Sequence, residues 1–177
     1  MKKLNNKGFS LVELIIVIAI MAVLAGALAP ALITYIEKSR ISTDKQTADT
    51  IRSAIQSALA DDTIYDETIG DKDITGTFDP ATNTGKGLTL SGTKDGKTDA
   101  TQPCAKQVNT NVKPSNVKIK SKKAWNEKSY TVEITKDGDV RVYLTYNDNA
   151  EKYGAEKDAC SDTMKKNVTS SSSSSTT

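Results

Sequence analysis

An uninterrupted apolar stretch near the amino terminus constrains this chain more than any other feature. From Leu14 to Ile33 there is no charged residue, and only Gly26 and Pro30 interrupt the aliphatic side chains. About 20 apolar residues suffice to cross a bilayer as an α-helix. Three lysines lie within the first seven residues, and basic residues favour the cytoplasmic side of a membrane. The sequence therefore predicts one membrane-spanning helix whose amino terminus faces the cytoplasm.

Two ordinary interpretations of this segment leave features unexplained. Ala27-Leu28-Ala29 imitates the small-x-small site of a cleaved secretory signal, but the apolar run is long for a signal core and Pro30 would follow the cut. A plain membrane anchor accounts for the length of the run but not for Glu13 at its edge. A carboxylate near hydrocarbon costs free energy and is usually paired, unless it lies shallow among the headgroups.

A third interpretation accounts for both features. The segment from Lys7 to Leu14, KGFSLVEL, resembles the prepilin cleavage motif of the type IV pilin family: a short basic leader, Gly before the cut, Phe after it, and Glu four residues on. The resemblance implies that a prepilin peptidase removes residues 1–8 by cutting between Gly8 and Phe9. It also implies that the same enzyme methylates the new amino terminus at Phe9.

The new terminus suggests a role for the acidic residue. Methylated Phe9 would keep a positive charge, and we expect Glu13 of one subunit to pair with the Phe9 amine of a neighbour in a filament. A buried pair of this kind acts more as a device that sets register than as net adhesion. Gly26 and Pro30 weaken a helix, so we expect local unwinding between them in the fibre, as the resemblance also implies.

The rest of the chain predicts an α+β fold. Apolar positions at Ile41, Ala48, Ile51, Ile55, Ala58 and Leu59 share one helical face, so a single helix should run from about 9 to 59. Period-two alternation predicts strands near 117–119, 130–135 and 140–146, and Asp137-Gly138 is a strong hairpin signal between the last two. A small antiparallel sheet packed on Ile51, Ile55 and Leu59 agrees with the pilin fold that the resemblance implies.

The expected organisation divides the chain into seven segments. These are a leader at 1–8, a transmembrane or filament-core helix at 9–33, an amphipathic helix at 34–60, a long αβ-loop at 61–115, an antiparallel sheet at 116–146, a carboxy-terminal region at 147–169 and a disordered Ser/Thr tail at 170–177.

The composition bears on the remaining chemistry. The chain has no histidine, so the commonest general base and metal ligand is missing, and we expect no catalytic site, metal or cofactor. A net charge of +2 without a basic stripe gives no argument for nucleic-acid binding. The two cysteines, Cys104 and Cys160, are a possible disulfide if the domain is exported, and otherwise two free thiols.

The resemblance implies a structural function. It indicates a subunit that waits in the cytoplasmic membrane among lipids and then joins an extracellular, helical homopolymer built by a pilus assembly machinery. Adhesion, twitching motility and biofilm formation follow from the family, not from any residue. The alternatives are a minor pilin, a pseudopilin of a secretion or competence system, and a membrane-anchored binding or enzymatic domain whose amino terminus stays uncut.

Overall fold

The chain forms two compact units, residues 1–37 and residues 38–177. The computed structural model describes residues 9–81, 83–94, 96, 102–121, 124–125 and 128–144. The predicted leader at 1–8, the carboxy-terminal region at 147–169 and the tail at 170–177 therefore lie outside the described residues.

A single long helix, α1, spans Leu11–Leu59, close to the predicted bounds. Pro30 lies inside it, and the helix is uninterrupted at Gly26 and Pro30. Four threonines, at positions 34, 43, 47 and 50, each donate a hydroxyl hydrogen bond to the carbonyl four residues earlier. Their hydroxyl groups are satisfied within the helix, although this bonding to the preceding turn slightly destabilises a helix rather than favouring it.

The segment 61–115, predicted as one long loop, contains four regular elements. They are α2 (Asp62–Thr68), β1 (Ile74–Asp79), β2 (Gly87–Ser91) and α3 (Pro103–Val112). The prediction of a long loop is therefore wrong, although the strand-like piece expected around Leu88-Thr89-Leu90 is confirmed as part of β2. The helices have short apolar faces, in α3 only the buried Cys104, Ala105 and Val108, so their periodicity is weak in the sequence.

Four antiparallel strands form one sheet in the order β2-β1-β3-β4. Strands β3 (Tyr130–Ile134) and β4 (Val140–Tyr143) confirm the two predicted from alternation. The predicted strand at 117–119 is wrong, because no ladder forms there. The backbone N–H groups just beyond it, at Lys120 and Ser121, donate instead to a carboxylate of α1.

The core lies between the second part of α1 and the inner face of the sheet. Ile51 and Ile55 are fully buried and Leu59 nearly so, in one cluster with the inward side chains of the strands. These contacts confirm the predicted packing and the α+β class. At about 25 cal/mol per Å2 of apolar surface, burial of this face is the main stabilisation of the unit that contains residues 38–177.

The predicted hairpin turn between β3 and β4 is confirmed. Gly138 has φ +84°, a conformation that side chains rarely adopt, and its N–H donates to the Thr135 carbonyl at 2.9 Å. The ring of Tyr65 lies 3.3 Å from where a Cβ of Gly138 would be. The glycine therefore allows both the turn and the close approach of α2.

Side chains of two helices form hydrogen bonds with backbone groups on both edge strands. The Asn109 side chain of α3 accepts from the Leu88 N–H at 2.7 Å and donates to the Leu88 carbonyl at 3.3 Å. Arg52 Nε donates to the Val140 carbonyl at 3.2 Å. Open edges invite pairing with other chains, so these contacts reduce unwanted strand addition.

Asp79, at the end of β1, collects hydrogen bonds from three side chains. The Ser129 hydroxyl donates to Oδ1, the Asn83 amide donates to the same oxygen at 3.2 Å, and the Thr84 hydroxyl donates to Oδ2 at 2.7 Å. Burial alone would raise the pKa of this carboxyl, but the three donors outweigh it and hold the pKa below 3.8.

This network predicts acid sensitivity in a defined window. Because the folded pKa of Asp79 is depressed, its contribution to the free energy of unfolding is full above pH 3.8 and is lost as the pH falls through the folded pKa. We expect Asp79→Asn to flatten the loss of thermal stability as the pH falls below 3.8. Unfolding followed by the fluorescence of the single tryptophan checks this, and identical slopes for wild type and variant would contradict it.

Candidate functional site

The first turn of α1 joins two of the predicted site residues through backbone geometry. The Ser10 N–H donates to Glu13 Oε2 at 2.9 Å, and the Leu14 N–H donates to the Ser10 carbonyl at 3.3 Å. This is half of a capping box, in which an acid three residues into the helix satisfies the N–H of the N-cap residue. Glu13 therefore caps the first turn of α1. Its negative charge also lies near the positive end of the helix dipole.

This capping role of Glu13 was missed from the sequence, although the Ser-x-x-Glu spacing is its usual signal. It reduces the cost of placing the acid beside hydrocarbon, since one lone pair already has a donor. The other carboxylate oxygen has no hydrogen bond among those described for Glu13 within this chain, and the side chain is exposed. The geometry leaves Glu13 accessible to a cation from outside the subunit.

The predicted cleavage site adjoins this turn. Phe9 is 83% exposed, one residue before the capped Ser10, whereas Gly8 lies outside the described residues. The structure thus brings Phe9 and Glu13 to the same end of α1. Gly26 and Pro30 lie farther along the helix and belong to a different feature.

An exposed apolar surface surrounds the first part of α1. The exposed large hydrophobic side chains between Phe9 and Ile36 each have at least 41% of their surface accessible to solvent. Contiguous apolar surface of this size is rare on soluble monomers and marks a membrane or protein contact. By length and composition α1 could cross a membrane, as the uncharged run predicts.

Gly26 and Pro30 form a weak point without a break. Proline has no N–H, so the carbonyl four residues earlier, that of Gly26, receives no helical hydrogen bond. A Cβ at Gly26 would meet nothing within 4 Å, so the glycine is not required by packing in this subunit. Unwinding of this stretch was predicted for the fibre and stays a prediction.

Two comparisons with known proteins found similarity. Residues 3–29 match the model of the prokaryotic N-terminal methylation motif. The chain is also similar to the type IV major fimbrial protein FimA of Dichelobacter nodosus, with 40% identity over 67 residues. No solved structure matches the chain significantly.

The extent of these matches is limited. The aligned 67 residues are 38% of this chain and 41% of the fimbrial protein, so the match spans about two fifths of the relative's length. The long helix and the four-stranded antiparallel sheet are consistent with the α+β fold of type IV pilins.

The remaining predicted site concerns the cysteines. Cys104, in the first turn of α3, is fully buried, and burial raises the pKa of its thiol to about 12. Cys160 lies outside the described residues, so the disulfide stays a prediction. Within the described ranges, no three His, Cys, Asp or Glu side chains are placed to hold a metal ion.

Proposed function

We propose that this chain is a type IV pilin, a structural subunit of an extracellular pilus, rather than an enzyme. The observation that carries the proposal is the methylation motif at residues 3–29, which continues into the exposed apolar part of α1. The similarity to a major fimbrial protein supports it further. Before assembly the apolar segment would lie in the cytoplasmic membrane and cross it once, with the amino terminus on the cytoplasmic side.

The proposed maturation creates the charge that assembly needs. Prepilin peptidase would cut between Gly8 and Phe9 and methylate the Phe9 amine, which stays cationic near neutral pH. That cation would approach Glu13 of a neighbouring subunit, whose carboxylate already accepts the Ser10 N–H. A charge without its partner in an apolar surrounding is costly, so subunits at other axial positions would be disfavoured.

Cohesion of the filament would come mainly from the apolar surface. In the membrane, helices exchange lipid for each other and gain chiefly by packing. Outside the cell the competing environment is water, in which exposure costs about 25 cal/mol per Å2. A subunit in the filament would therefore be difficult to extract, and the pilus assembly machinery would be needed to move it from lipid to fibre.

The decisive experiment is mass analysis of the amino-terminal peptide from protein sheared off cells. We expect a chain that begins at Phe9 and carries one methyl group on its amine. A chain that retains residues 1–8, or one that begins after Ala29, would rule the proposal out. Loss of the cut in cells that lack prepilin peptidase is the matched control.

A second candidate is a minor pilin or pseudopilin with the same amino terminus. Neither Glu13 nor the fold separates it from a major subunit. Abundance separates them, because a major pilin would be the dominant protein of sheared filaments and a minor one a trace component.

A further inference from the structure

The two ends of the four-stranded sheet carry opposite charge. Both ends belong to the unit of residues 38–177, and the strand register defines them. Ile74 of β1 pairs with Ile134 of β3 at one end, and Phe78 pairs with Tyr130 at the other. Ile74 and Phe78 are four residue steps apart along β1, so the ends are separated by about 14 Å.

The first end, here called the acidic end, gathers α2 and the β3–β4 turn. Tyr65 of α2 lies against Gly138 of that turn, and Asp73 accepts from the Lys136 N–H at 3.1 Å. Six exposed carboxylates define it: Asp61, Asp62, Asp66, Glu67, Asp137 and Asp139. The positive charges of nearby Lys72, Lys94 and Lys136 are largely offset by the negative charges of Asp71 and Asp73. The acidic end therefore keeps a net negative charge.

The opposite end, here called the basic end, gathers the β1–β2 turn and the segment after α3. The Ala81 N–H donates to the carbonyls of Pro114 and Val117 at 3.1 and 3.0 Å, and Asp44 of α1 binds the backbone at Lys120. Six exposed lysines define it: Lys38, Lys86, Lys113, Lys118, Lys120 and Lys128. Two acids among the described residues of this end, Asp44 and Asp79, accept hydrogen bonds from within the chain.

The distance between the two ends allows each charged patch to act independently of the other. At physiological ionic strength the Debye length is about 8 Å, so patches about 14 Å apart neutralise each other only weakly through solvent. Each patch therefore attracts an oppositely charged surface that approaches it closely. Exposed single pairs contribute little, but six charges facing six act together and set orientation.

We propose that the acidic end docks against the basic end of a second copy of this chain. The complementary surfaces lie on one molecule at opposite ends of one sheet, and such a head-to-tail contact produces open filaments rather than closed dimers. This inference rests on the proposed pilus function. It adds the surface through which the units of residues 38–177 in neighbouring subunits would be ordered. Apolar helices supply cohesion, and the charged ends select the axial neighbour.

Charge reversal in the full-length protein tests this contact. One variant combines Asp66→Lys with Glu67→Lys at the acidic end, and another combines Lys118→Glu with Lys128→Glu at the basic end. None of these four side chains makes a described hydrogen bond, and tryptophan fluorescence of the detergent-solubilised subunit checks that each variant folds. We expect about a tenfold lower yield of sheared filaments from either variant, since like charges would meet at every contact.

The matched control is Lys106→Glu, an exposed position on α3 between the two ends, which should change the yield less than about twofold. Wild-type filaments should also lose thermal stability as NaCl rises, and the end variants should lose most of that salt dependence. Equal yields for end and control variants, with salt-independent filaments, would overturn the contact. Those results would leave the pilus function intact, whereas an uncut amino terminus would reject the function itself.

Discussion

Replacement of Asp44 by alanine is expected to destabilise the unit of residues 38–177 by about 3 kcal/mol or more. Asp44 of α1 is fully buried. Its Oδ1 accepts from the Lys120 N–H at 2.8 Å, and its Oδ2 accepts from the Ser121 N–H at 2.8 Å and from Trp125 Nε1 at 2.9 Å. Alanine would leave these donors without their acceptor.

The size of this effect follows from burial of the donors. A buried donor that loses its partner costs about 1–3 kcal/mol, and Ser121 and Trp125 are nearly inaccessible to water, at 2% and 5% exposure. Asn retains one acceptor but points an NH2 group at the remaining donors. Asp44→Asn should therefore also destabilise the unit, with loss of at least one of the three hydrogen bonds.

Denaturant unfolding of the detergent-solubilised protein measures this prediction directly. Trp125 is the single tryptophan of the chain and binds Asp44, so its emission reports both unfolding and local release of the loop. Asp49→Ala, on the exposed face of the same helix, is the matched control and should cost less than about 1 kcal/mol. Equal midpoints for Asp44→Ala and this control would contradict the assigned role.

Burial also fixes the sign of the pH dependence at Asp44. Burial raises the pKa of this carboxyl above 3.8, and the hydrogen bonds from Lys120, Ser121 and Trp125 only partly oppose the rise. The folded protein therefore takes up a proton more readily than the unfolded chain between 3.8 and the folded pKa. Through Asp44, stability falls as the pH rises across that window and is constant above it, which is opposite to the contribution of Asp79.

Glu13→Ala is expected to lower the yield of sheared filaments by about tenfold or more while the protein still inserts into the membrane. Two interactions would be lost. One is the Ser10 N–H contact that begins α1, and the other is the proposed pairing with the Phe9 amine of a neighbour. The apolar run that drives insertion is unchanged, so membrane fractions should contain normal amounts of the variant.

Glu13→Gln separates these two interactions. Its amide oxygen can accept the Ser10 N–H, so the start of the helix is preserved, but the negative charge is gone. If pairing with the amine sets register, Gln assembles as poorly as Ala. Wild-type yields with Gln and poor yields with Ala would show that capping is the function of Glu13 and that the proposed pair is incorrect.

The sequence predicted those elements whose signal lies in neighbouring residues. Helix α1 follows from its apolar run and its amphipathic continuation, and the β3–β4 hairpin follows from alternation around Asp137-Gly138. The Ser-x-x-Glu spacing that predicts the capping of Ser10 is equally visible in the sequence. It was missed because the charge of Glu13 suggested an intermolecular partner first.

Strand β1 was missed because its residues resemble a turn. The strand has the sequence ITGTFD, and its glycine, Gly76, has a structural cause that only the sheet reveals. A Cβ there would overlap the carbonyl oxygen of Thr89 on the neighbouring strand. The glycine therefore permits close strand pairing rather than a turn, and no local pattern distinguishes the two.

By itself, the sequence determined the long helix, the exposed apolar segment and the motif that predicts a cut before Phe9, because each depends on residues within a few turns of one another. Tertiary structure alone decided that Asp44 binds a segment 76 to 81 residues away and that acidic and basic side chains gather at opposite ends of the sheet. Such contacts depend on which distant segments meet, and that is set by strand order and register.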